Sequence, residues 1–118
     1  MKKVFPIIAW IVLLTASVVW AGPDFSGSWD TNWGRIELTQ RGNKVMGHYT
    51  GQYTGIIDGT VTGSRLNFTW SQSNGQYGKG YFDISPDGAT ISGSWGVQES
   101  DSDGGEWNGT RAGGPGKK

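Results

Sequence analysis

The chain has 118 residues, no cysteine, ten basic against ten acidic side chains, and 21 glycines. Without thiols there are no disulfides, no thiol catalysis and no lipid attached through cysteine. A single histidine and a neutral balance exclude a histidine-based triad, a histidine metal centre and the basic face of a nucleic-acid binder.

The first predicted element is a leader. Lys2 and Lys3 precede an apolar run from Val4 to Val19, interrupted by Pro6, Thr15 and Ser17, and Val19-Trp20-Ala21 ends it in the manner a signal peptidase reads. Residues 1–21 are therefore read as a signal peptide forming an N-terminal signal helix, and the protein as exported, to the periplasm or the extracellular space. The rival is a retained anchor, because the stretch approaches the roughly 17–25 residues that cross a bilayer. Gly22-Pro23-Asp24 follows with no basic stop-transfer cluster, which favours cleavage. Cleavage leaves about 97 residues, enough for one domain. The two leader lysines gone, that domain carries a small negative net charge. Its five tryptophans argue against the disorder that so much glycine would otherwise signal.

From Phe25 onward the pattern has period two, in short runs separated by turn residues. Phe25, Gly27 and Trp29 share one face of the first run. Ile36, Leu38 and Gln40 follow, opposed by Arg35, Glu37 and Thr39. Beyond Arg41-Gly42-Asn43 come Val45, Gly47 and Tyr49, then Ile57, Gly59 and Val61. Thr62-Gly63-Ser64 turns the chain into Leu66, Phe68 and Trp70. After a polar loop from Ser71 to Gln76, Gly80, Phe82 and Ile84 line up. Pro86-Asp87-Gly88 is a strong turn signal; Ile91, Gly93 and Trp95 continue beyond it, and Trp107, Gly109 and Arg111 make the eighth strand.

Short connections make sequence neighbours spatial neighbours. The expected fold is all-β: an eight-stranded antiparallel up-and-down β-barrel, a meander, over residues 22–111, with 112–118 as a flexible C-terminal tail. The runner-up is a flattened two-sheet sandwich of the same order. The face that carries the glycines is apolar, whereas the other reads Arg35, Glu37, Lys44, His48, Asp58, Arg65, Asn67, Lys79 and Asp83. Such a face cannot meet hydrocarbon, so the mature domain is not expected to span a membrane. Inward positions are large, and side chains are expected to fill most of the interior.

Phe25-Ser-Gly-Ser-Trp29 recurs as Ile91-Ser-Gly-Ser-Trp95, with Gly47-His-Tyr49 a looser copy. On Gly27-Ser28-Trp29 in the first strand and Arg111 in the last, the chain resembles the calycin group of lipocalins, fatty-acid-binding proteins and avidins. The resemblance implies that Gly27, Trp29 and Arg111 close one barrel end, and size and leader place it nearest the avidins. Biotin does not carry over. Thr31 and Arg35 stand where the family has Asn and Ser, Gly51 replaces a serine near Tyr49, and no aspartate follows Arg111. Trp33-Gly34, Leu38-Thr39-Gln40 and Gly47-His48-Tyr49 are also similar to small secreted bacterial barrels.

Catalytic equipment is sparse. His48 and the acids Asp30, Glu37, Asp58 and Asp83 all fall on the outward face, so no enzyme and no cofactor is expected. The acidic run from Glu99 to Glu106 raises a weak calcium alternative through Asp101, Asp103 and Glu106, although no EF-hand spacing is present. The expectation is a non-catalytic extracytoplasmic binding protein, with a small apolar ligand at an open barrel end near Trp33, Tyr53, Trp70, Gln72 and Tyr77. The alternative is a secreted surface-interaction or structural module that recognises glycan or a partner protein, with Tyr53 and Tyr77 suited to stacking on sugars. Neither composition nor pattern decides the oligomeric state.

Overall fold

Alternating side chains give a sheet one wet and one dry face, and eight such strands bury the dry face by closing on themselves. A computed structural model describes residues 23–112; the predicted signal helix and the tail beyond Ala112 lie outside the described residues. The strands are β1 (Gly27–Thr31), β2 (Gly34–Arg41), β3 (Lys44–Thr50), β4 (Gly55–Thr62), β5 (Arg65–Gln72), β6 (Tyr77–Ile84), β7 (Thr90–Val97) and β8 (Gly105–Arg111). Each pairs antiparallel with the next, and β8 returns to β1, which gives a closed barrel in sequence order. The seam is short: Trp29, Asp30 and Thr31 face Arg111, Thr110 and Gly109. No helix among the described residues is long and apolar enough to cross a membrane.

Up-and-down order sorts the connections between two ends. The β2–β3, β4–β5 and β6–β7 turns gather at one end, together with both ends of the described chain. The β1–β2, β3–β4, β5–β6 and β7–β8 connections gather at the other.

The first end is plugged. Phe25 precedes β1 yet is fully buried. Its N–H donates to Gln40 Oε1 at 2.8 Å, and its carbonyl accepts the Trp29 indole N–H at 2.9 Å. Gln40, expected to point inward with Ile36 and Leu38, is only half-buried; its amide donates instead to the carbonyls of Gly42 and Pro23. Arg111 completes the plug. Its guanidinium lies over the Trp29 ring, 4.2 Å from Cζ to centroid, and donates to the carbonyls of Ser26 (2.6 Å), Asp24 (2.9 Å) and Gly88 (3.0 Å). Gly27 was expected on the inner face with Phe25 and Trp29. It is exposed instead, at φ +125°, and a β-carbon there would stand 2.9 Å from the Arg111 guanidinium. Glycine is needed for both the backbone angle and the space.

The core runs from this plug through Trp29, Ile36, Leu38, Val45, Ile57, Leu66, Phe68, Phe82 and Ile91 to Trp107, all buried. Its glycines act across strands. Phe68 stands opposite Gly59 on one side and Gly80 on the other. Trp70 faces Gly78, Tyr49 faces Gly55, Phe82 and Trp107 face Gly93, and Trp95 faces Gly80 and Gly105. Every inward ring from β3 to β8 therefore lies beside a strand position with no side chain. A buried aromatic removes about 150–250 Å² from water, roughly 4–6 kcal/mol at about 25 cal/mol per Å². Such gains are realised inside so narrow a barrel only because alternate positions are vacated.

Candidate functional site

The open end is a cup with a cavity of about 150 Å³. Trp107 forms its inner limit, edge-on to Phe68 (5.7 Å), Phe82 (5.3 Å) and Tyr49 (5.4 Å). One wall is a trio in which Trp95 meets Trp33 at 5.6 Å and Trp70 at 5.8 Å, both nearly perpendicular. Tyr53, from the β3–β4 loop, and Gln72 and Gln76, at either end of the β5–β6 loop, complete the lining with Tyr49. Side chains thus fill most of the interior, as expected, and the space that remains lies at the end away from the plug.

Local chemistry fixes most of these groups. Thr31 Oγ1 accepts the Trp107 indole N–H at 2.9 Å and the Trp33 backbone N–H at 3.0 Å, and donates to Gly34 O at 2.6 Å. It thereby holds the tight β1–β2 turn against β8. The Trp33 indole N–H donates to Glu106 O at 3.1 Å, and that of Trp70 to Gly96 O at 3.0 Å. The Tyr49 phenol donates to Gln72 Oε1 at 2.9 Å, Gln72 Nε2 donates to Asn74 Oδ1, and Asn74 Oδ1 also accepts the Gln76 backbone N–H. Burial pushes the Tyr49 phenol up to about 12, so it stays neutral. No lining side chain is charged at neutral pH. The cup can stack, exclude water and offer a few hydrogen bonds.

No family model, no curated protein and no solved structure matches the chain. The cup therefore stands on its own geometry.

Of the residues expected near the mouth, Trp33, Tyr53, Trp70 and Gln72 are brought together around the cavity. Tyr77 is not. It lies opposite Ser71 on the outer face and is 52% exposed, because the inward position at that level of β6 belongs to Gly78, opposite Trp70. Tyr49, Gln76, Trp95 and Trp107 line the cup without having been assigned to it. Three of them had been placed on inward faces as core, and only the end of the packing reveals that they border open space.

Asp101, Asp103 and Glu106 are not gathered into one cluster of side chains. Asp103 accepts the Val97 N–H, Glu106 accepts the Asn108 amide, and no group of three or more acidic or imidazole side chains converges among the described residues. His48 is exposed on the outer face, opposite Ile56. The outer acids make surface pairs, Asp30 with Arg35 at 3.0 Å and Asp83 with Arg65 at 2.8 Å.

Proposed function

We propose that this is a non-catalytic extracytoplasmic binding protein of calycin-like, lipocalin- or avidin-like build, which holds a small, largely apolar ligand in the cup. The observation that carries the reading is the asymmetry of the barrel. One end is sealed by Phe25, Trp29 and Arg111, while the other keeps an aromatic-walled hollow bordered by four tryptophans. Folding alone would favour filling such a space, since an unfilled core volume forfeits packing energy. Concave, mostly apolar sites with a few placed polar groups are the usual form of small-molecule sites.

Native mass spectrometry on protein purified from its own host tests the reading. A retained small molecule is expected as added mass, lost on denaturation. Apo protein alone, with unchanged tryptophan emission across a panel of small lipids, aromatics and sugars, would overturn it.

The second reading, an outer surface that recognises a glycan or partner protein, rests on one observation. Ile56, Ser71 and Tyr77 are cross-strand neighbours on the outside of β4, β5 and β6, with Ile56 and Tyr77 exposed. Loss of partner binding in Tyr77→Ser with the cup variants unaffected would favour it.

A further inference from the structure

Three of the four tryptophans around the cup donate their indole N–H to the protein itself: Trp33 to Glu106 O, Trp70 to Gly96 O and Trp107 to Thr31 Oγ1. Trp95 differs. Its Nε1 is buried and has no acceptor among the described residues, although its ring stands in the wall between Trp33 and Trp70. A buried donor left unpaired costs about 1–3 kcal/mol, and native proteins hold few of them.

Two further properties of the cup narrow what could answer that donor. The lining is uncharged, so an ionised ligand would lose its hydration with no counter-charge in return. The volume is about 150 Å³, a size at which apolar cavities accommodate benzene-like rings. A monosaccharide of similar bulk fits poorly, because each hydroxyl needs a partner and most polar groups here are already engaged. The Gln72 amide is held by Tyr49 and Asn74 on both its atoms.

We infer that the ligand is a neutral, flat ring compound of about six to ten non-hydrogen atoms with one hydrogen-bond acceptor, and that the Trp95 indole N–H reads that acceptor. The inference rests on the binding reading above and gives it a chemical class. In the described conformation Nε1 is out of solvent contact, so the acceptor meets it as the indole turns about its Cβ–Cγ bond toward the cavity it already lines. A β-carbon at Gly104 would fall against the benzo edge of the ring and one at Gly105 would stand 3.7 Å from Nε1, so the absence of both side chains is what gives the indole its place beside β8. Trp95 is thus a specificity-determining residue, whereas Trp33, Trp70 and Trp107 serve as walls.

Three probes of matched size and shape separate these features: acetophenone, which has a carbonyl acceptor; α-methylstyrene, in which a methylene replaces that oxygen; and benzoate, which is charged. Titration of the full barrel, followed by tryptophan emission and by the indole N–H resonances, is expected to show acetophenone binding about tenfold more tightly than α-methylstyrene, the worth of one hydrogen bond. Benzoate should bind neither form. The Trp95 indole resonance should move with acetophenone far more than with α-methylstyrene. Trp95→Phe keeps a ring in the wall and removes the donor. It should bring the two neutral probes to equal affinity, the change in wall shape acting on both alike. Equal affinity of the two neutral probes for the unmodified protein, binding of benzoate as tight as acetophenone, or discrimination that survives Trp95→Phe would each overturn the inference. If no probe binds but protein from its own host carries an added mass, this ligand class is wrong and the binding reading stands. If no probe binds and no mass is carried, both fall.

Discussion

The Arg111 guanidinium lies flat over the Trp29 indole at 4.2 Å while its three donating nitrogens hold the carbonyls of Asp24, Ser26 and Gly88. One side chain on the last strand thereby joins the segment before β1, the first strand and the β6–β7 turn. All three acceptors are backbone carbonyls, so this clasp needs no carboxylate and should be indifferent to pH across the range where proteins fold.

Replacing Arg111 with Ala should destabilise the barrel by about 2 kcal/mol, the sum of a cation–π contact and hydrogen bonds to a charged donor after solvent competition. For a domain of this size that is a fall in Tm of roughly 8–16 °C. Arg111→Lys should restore less than half, because a point charge can sit over the ring but cannot fork to three carbonyls. Thermal melts at matched pH read both values. A melt of Arg111→Ala within about 2 °C of the parent would show that the clasp holds nothing.

Gly80 is opposite Phe68, and a β-carbon there would stand 2.6 Å from the Phe68 ring and 2.7 Å from Ser94 O. Gly80→Ala should cost about 1–3 kcal/mol through overpacking. In a Phe68→Leu background the clash with the ring is relieved, so the same change should cost less, with a coupling of at least about 0.5 kcal/mol. Urea denaturation of the four proteins gives the cycle. Strict additivity would mean that glycine is there for the backbone and not for its neighbour.

Tyr49 offers an alkaline signature. Its phenol titrates near 10 in the unfolded chain and is raised to about 12 by burial in the barrel, so between those values the unfolded state has released a proton that the folded state retains. Stability contributed by this group is complete below pH 10 and declines as pH rises toward 12. Stability plotted against pH should therefore fall more steeply above pH 10 for the parent than for Tyr49→Phe. Parallel curves would contradict the assignment.

Asp87 should act at the acid side. Its carboxylate accepts the Ser85 hydroxyl at 2.7 Å and the Ala89 N–H at 3.0 Å, and these bonds, the hydroxyl first, hold it below the usual carboxylate range. A lowered folded value means stabilisation present above the unfolded pKa and lost as pH falls through the folded one. The Tm gap between the parent and Asp87→Ala should be constant near neutrality and narrow below about pH 4. A gap that persists at low pH would assign the effect to the turn backbone alone.

The strand count, the order and the inner faces were legible because an alternation of period two says which side chains share a face without reference to any partner. Trp29 and Arg111 were legible by resemblance, and their stacking is present. For Tyr77 alternation is a better guide than nearness to a strand end: with Gly80 and Phe82 inward, period two puts Gly78 inside and Tyr77 outside. Gly27 and Gln40 depart from the alternation for another reason. They lie where the strands meet the plug, and tertiary contacts with Arg111, Pro23 and Gly42 decide their direction. The pairing of each ring with a glycine on the next strand was not legible, since it depends on register, which turn geometry sets. Tyr49, Trp95 and Trp107 looked like core because alternation tells inside from outside but not full from hollow.

The described chain begins at Pro23, beside Gly63 and Gly88, and leaves at Ala112, whose N–H donates to Ser28 O. Both ends of the described chain thus lie behind the plug, with the mouth at the far pole. Whatever is attached through either terminus, whether a membrane tether, a fused domain or the linker to a sensor chip, would lie behind the protein and leave the opening turned to the surrounding fluid. Coupling through the loops of the opposite pole should be the orientation that covers the cup.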